Sequence, residues 1–91
     1  MEFEWDSEKA KRNLLKHGVS FREAIGIFGD PLSMTYDDPD HSWEEQRHIT
    51  VGTARSGRLL IVSHTDRAGN IRIISARKVT RQERTRYEEN I

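Results

Sequence analysis

The chain of 91 residues contains no cysteine. Disulfides, thiolate zinc sites and cysteine nucleophiles are therefore excluded together, and the composition fits a reducing cytoplasm. No apolar run approaches the roughly 20 residues that a membrane span requires. The first residues, Met1-Glu2-Phe3-Glu4-Trp5-Asp6, are acidic where a secretion signal would be basic, so neither a membrane anchor nor export is expected. Hydrophobic residues are sparse as well, 34% against 33% charged. That is enough to fill one sheet-and-helix layer with little apolar surface to spare, and it predicts a single domain over residues 1–91 whose stability benefits from a partner. Repeats, linkers and low-complexity stretches are lacking.

Net charge is zero, but the two halves differ. Residues 1–45 carry 5 Lys/Arg and 11 Asp/Glu (5 − 11 = −6), and residues 46–91 carry 10 and 4 (10 − 4 = +6). Such a split gives either a basic face for a polyanion or a set of salt bridges between the halves.

Along the chain, Phe3 and Trp5 alternate with acidic neighbours as a short edge strand. Asp6 then caps a helix running from Ser7 to about His17, with Gly18 at its C-terminal turn. Ser20 and Glu23 have the spacing of a capping box, followed by Phe21, Ala24, Ile25 and Phe28 on one helical stripe that Gly29-Asp30-Pro31 stops. Alternation over residues 32–36, 47–54, 58–65 and 71–77 predicts four strands separated by turns, and Thr80 and Glu83 open a last helix with a second capping box. The order is β-α-α-β-β-β-β-α. Strands joined by short turns pair antiparallel, so the expected fold is an α+β domain with an antiparallel sheet packed on helices.

The four histidines, His17, His41, His48 and His64, have no metal-ligand spacing, and the acidic turn Asp37-Asp38-Pro39-Asp40 lacks the length and closing glutamate of a calcium loop. That turn is expected to be solvated. No nucleophile elbow or phosphate loop is present, and no cofactor is expected. What remains is a basic strand region in which Arg47, Arg58, Arg67, Arg72 and Arg77 accompany His48 and His64. Cleavage of RNA without a metal needs a base for the 2′-hydroxyl proton, an acid for the leaving 5′-oxygen and cations aimed at the phosphorane. Arginine suits the last role and histidine either of the others. Strand parity constrains this reading. In a regular strand Arg72 falls with Ile74 and Ala76, while Arg77 falls with Ile71 and Ile73, so a site using both arginines requires a bulge or takes Arg77 at the strand end.

Three stretches carry a family resemblance. They are Phe3-Glu4-Trp5-Asp6 through Lys9 and Asn13 to Lys16-His17-Gly18-Val19-Ser20-Phe21; Phe28-Gly29-Asp30-Pro31; and Ile71-Arg72-Ile73-Ile74-Ser75-Ala76-Arg77 with Glu83-Arg84 and Tyr87. In order and spacing they resemble the BrnT toxins from end to end, and Arg47, following His41 and Glu45, sits where that family has its histidine, glutamate and arginine. The resemblance implies a RelE-like fold and a cytoplasmic ribonuclease that blocks translation. It also implies a BrnA antitoxin with a ribbon-helix-helix domain, and operator DNA reached only through that antitoxin in a hetero-oligomer. Site residues expected on this basis are Arg47, Arg67, Arg72 and Arg77 for phosphate, with His17, His48 or His64 for proton transfer. The alternative is a non-catalytic module that binds an antitoxin.

Overall fold

The computed structural model describes residues 2–40 and 45–90. A two-residue strand, β1 (Phe3–Glu4), leads to Asp6, whose carboxylate accepts from the Lys9 amide at 3.0 Å and starts α1 (Ser7–His17). Gly18, at φ 69°, ends that helix in the left-handed conformation glycine adopts without strain. Ser20 caps α2 (Phe21–Ala24) through its hydroxyl and the Glu23 amide. The predicted reciprocal bond is not made, because the Glu23 carboxylate turns to the Arg58 guanidinium and the Ser56 hydroxyl. A charge-assisted fork outweighs a neutral amide as partner. The apolar stripe continues, but Ile25–Gly29 is a 3₁₀ turn rather than α-helix.

Four strands follow, β2 (Met34–Asp37), β3 (Arg47–Thr53), β4 (Leu59–Arg67) and β5 (Asn70–Lys78), and then α3 (Arg81–Glu89). The Thr80–Glu83 capping box forms in both directions. Sheet order is β1-β5-β4-β3-β2. The last four strands form the expected antiparallel meander, whereas β1 lies parallel to β5, Phe3 beside Ile71 and Glu4 beside Arg72, so the sheet is mixed. The connection from β1 to β5 spans the whole fold, which is why a rule for short turns does not reach it.

The two faces of the sheet are covered differently. On the helix face, Leu60, Val62, Ile71, Ile73 and Ala76 pack against Val19, Phe21, Ala24 and Ile27. On the other, Val51, Leu59 and Ile61 pack with Tyr87 of α3. Tyr87 anchors that helix by donating from its hydroxyl to the Leu32 carbonyl at 3.1 Å.

One buried side chain ties α1 to the sheet. The Asn13 amide nitrogen donates to the carbonyls of Val19 (2.9 Å) and Ala76 (2.7 Å), and its oxygen accepts from the Ala76 amide at 3.1 Å. β1 covers the edge of β5 only at Ile71 and Arg72. Further along, Asn13 takes the place of a neighbouring strand.

Candidate functional site

Register decides which site residues share a surface, since directly paired residues of neighbouring strands project to the same face. β5 contains a bulge: Ser63 pairs with Ser75 but His64 pairs with Ile73, which leaves Ile74 unpaired. The extra residue reverses parity within the strand. Arg72 therefore joins Ser75 and Arg77 on the α3 face, while Ile71, Ile73 and Ala76 all reach the helix-face core.

Beyond the Thr53–Leu59 pair, three successive rows of paired residues climb the α3 face. Nearest α3 are Met34, Val51, Ile61 and Arg77; next come Tyr36, Ile49, Ser63 and Ser75; then Arg47, Thr65, Arg72 and Glu4. Arg67 continues the same parity on β4. Successive rows are roughly 7 Å apart, two strand residues. Arg72 and Arg77 thus flank the row of Ser63 and Ser75 from its two sides.

Among the described residues, carboxylates hold Arg67, Arg72 and Arg77. Arg77 makes a bidentate pair with Glu83 at 2.8 and 2.9 Å, Arg72 reaches Glu4 at 2.8 Å, and Arg67 reaches Glu45 at 3.4 Å. Its hydrogen bond to Arg77 is the main reason that the Glu83 carboxyl falls to a pKa of about 2. Glu4 and Glu83 were not among the expected site residues. Glu83 was legible only as a cap, and the Glu4 pairing depends on the parallel contact of β1.

The histidines lie elsewhere. His48 and His64 pair directly across β3 and β4 on the helix face, with rings 5.6 Å apart. His64 is 5% exposed, stacks edge-on with Phe28 at 5.0 Å, and has Nε2 2.7 Å from the Thr50 hydroxyl, which in turn is 2.7 Å from the Thr35 hydroxyl. Burial and the neighbouring His48 lower its pKa to about 4. Its Nδ1 is buried without a hydrogen-bond partner among the described residues. His48 Nδ1 lies 3.2 Å from an Asp37 carboxylate oxygen. The sheet separates both rings from the arginine rows. His17, in the last turn of α1, lines a shallow pocket with Lys9, Arg12, Lys16, Ile74 and Ser75, so it borders the arginine face at the bulged edge of β5. His41 lies outside the described residues.

Among the described residues, no group of three His, Asp or Glu side chains is placed to hold a metal ion, and no helix is long and apolar enough to cross a membrane. The acidic turn is less solvated than expected. Asp38 is buried, and its carboxylate accepts from the Asp40 amide at 3.1 Å.

Comparison with known proteins adds two matches. The family described as "Ribonuclease toxin, BrnT, of type II toxin-antitoxin system" matches residues 5–83. The crystal structure of the Brucella abortus ribonuclease toxin BrnT superposes with a TM-score of 0.66 at 19% identity, covering 89% of this chain and 99% of the other, a likeness of fold. No curated protein matches the chain. With a fold of this kind and a family match over most of its length, the chain belongs to the BrnT family of ribonuclease toxins of type II toxin–antitoxin systems.

Proposed function

We propose that this chain is an endoribonuclease that cleaves RNA without a metal ion, blocks translation in the cytoplasm and is neutralised by a BrnA-like ribbon-helix-helix antitoxin. One observation carries the reading: the bulge at Ile74 that gathers Arg72 and Arg77 on one face with Arg47 and Arg67. In the proposed reaction the 2′-oxygen attacks phosphorus and gives up its proton, the bond from phosphorus to the 5′-oxygen breaks, and that oxygen takes up a proton. A 2′,3′-cyclic phosphate and a 5′-hydroxyl result. Arg72 and Arg77, on either side of the Ser63–Ser75 row, face the charge that develops on the phosphorane, while Arg47 and Arg67 hold flanking phosphates. Of the expected histidines, His17 borders this face and is the proton carrier in this reading; His48 and His64 serve the fold. Glu4 and Glu83 hold guanidinium groups in place until phosphate oxygens replace them.

The test is cleavage of single-stranded RNA by purified chain in the presence of a chelator. Arg72→Ala and Arg77→Ala should each lower the rate at least tenfold, since a lost donor to a transition-state oxyanion costs about 2.7 to 4 kcal/mol. Full activity in both variants moves the site off this face. A wild-type chain that cleaves nothing, yet binds an antitoxin, leaves the non-catalytic module instead.

A further inference from the structure

Four large hydrophobic side chains are exposed among the described residues, and Tyr36, 49% exposed, is the one that lies on a strand of the sheet. Its parity puts it on the arginine face, one row from Arg77 and one row from Arg47 and Arg72. Beside it opens a groove of about 250 Å³, floored by Met34, Val51, Ile61 and Tyr87, with Glu83, Arg86 and Asn90 at its rim. The groove is apolar below and polar at the edge.

We propose that Tyr36 and this groove form a nucleobase subsite, in which one unpaired base of the RNA stacks on the Tyr36 ring while the arginine rows hold the adjoining phosphates. The inference rests on the proposed RNA-cleaving face and names what that face selects. Four features favour a base over a protein segment. The groove is smaller than the roughly 300 to 1,000 Å³ of drug-sized sites, so it suits one heteroaromatic ring. A stable protein interface covers roughly 800 Å² per partner, far beyond one half-exposed tyrosine. Arginine rows on both sides complement a phosphate chain whose bases are splayed onto an aromatic platform, as in single-strand recognition. The side chains at the rim supply donors and acceptors for a base edge, which an apolar floor alone would not.

The consequence is a dependence on one base. Short single-stranded RNAs with a single cleavage site, each carrying one abasic nucleotide at a different position, are compared on wild-type, Tyr36→Phe and Tyr36→Ala chains. Wild-type and Tyr36→Phe should lose roughly fivefold to a hundredfold in kcat/KM when the base at one position is removed, the range that base–aromatic stacking spans. Tyr36→Ala should show that loss on intact RNA, mainly in KM, and should be indifferent to base removal at that position. Tyr36 touches solvent on half its surface, so the variants keep the core. Tyr36→Ala that cleaves intact RNA like wild-type, or keeps the abasic penalty, overturns the subsite. So does a Tyr36→Ala chain with full cleavage but weakened antitoxin binding, which assigns the groove to a protein. Stacking is read independently by quenching of 2-aminopurine placed at the same position. Quenching by a wild-type chain that does not cleave keeps the subsite and removes the nuclease reading, and neither quenching nor cleavage removes both.

Discussion

His64 is neutral in the folded protein at neutral pH, because burial first and the adjacent His48 second disfavour its charge, with Asp66 opposing only in part. Its folded pKa of about 4 lies below the ordinary 6.5. In the window between these values the unfolded chain binds a proton that the folded chain does not, so stability must fall as pH drops from 6.5 to 4. Carboxylates act in a different window. Glu23 and Glu83, both lowered to about 2 mainly by hydrogen bonds from Arg58 and Arg77, contribute stability above 4.5 that is lost as pH falls toward 2. Urea unfolding at a series of pH values should therefore show a first decline between 6.5 and 4, and His64→Gln should flatten that decline while leaving the one below 4.5. Constant stability from pH 7 to 5 in the wild-type chain would show that His64 titrates normally and that its burial is relieved in solution.

At the scale of elements, the bulge at Ile74 and the clamp at Asn13 belong together. Asn13 satisfies the amide and carbonyl of Ala76 two residues beyond the bulge, where β1 no longer pairs. Asn13→Ala leaves both Ala76 groups and the Val19 carbonyl without their partner, and an unsatisfied buried polar group costs about 1 to 3 kcal/mol. We expect a loss of about 2 kcal/mol or more in chemical denaturation, with RNA cleavage reduced as the β5 edge loosens. A loss under about 0.5 kcal/mol would mean that water replaces the amide. Gly52 is a second joint of this kind: a Cβ there would lie 3.0 Å from the Ser33 Cβ and 3.2 Å from the Ile27 Cβ, where the 3₁₀ turn crosses β3. Most of these elements were legible in the sequence. Asp6, Gly18, Thr80 and Glu83 mark helix ends by local chemistry, and alternation reveals four strands, because both signals act over a few residues. The site was less so. Parity alone puts Arg72 and Arg77 on opposite faces, and only the register of β4 against β5 reveals the unpaired Ile74 that reunites them. Tyr36 could have been found, since it alternates with Met34. His48 and His64 lie on the face opposite the arginines, since nearness to arginines along a strand does not distinguish its two faces.

Over the whole molecule, the opposed charge of the two halves is met in part by ion pairs between them. Glu4 with Arg72, Glu23 with Arg58 and Glu45 with Arg67 join the acidic half to the basic half. Even so, Arg67 and Arg72 stand with Arg47 and Arg77 in rows on a single face, next to a groove with an apolar floor. An antitoxin that neutralises the proposed nuclease by covering this face must compete with those internal carboxylates. Its segment should therefore be acidic, with an ordering cost met on binding. Complementary charge acts mainly on encounter, and at physiological salt its reach is about 8 Å. Raising salt should thus slow association more than it speeds dissociation, and the slope of association rate against salt should shrink in Arg72→Ala and Arg77→Ala. Excess single-stranded RNA should slow antitoxin association too, because both require the same arginines. If stopped-flow traces show an association rate indifferent to salt and to RNA, the antitoxin approaches another surface, and its effect on cleavage is transmitted through the sheet rather than by covering the arginines.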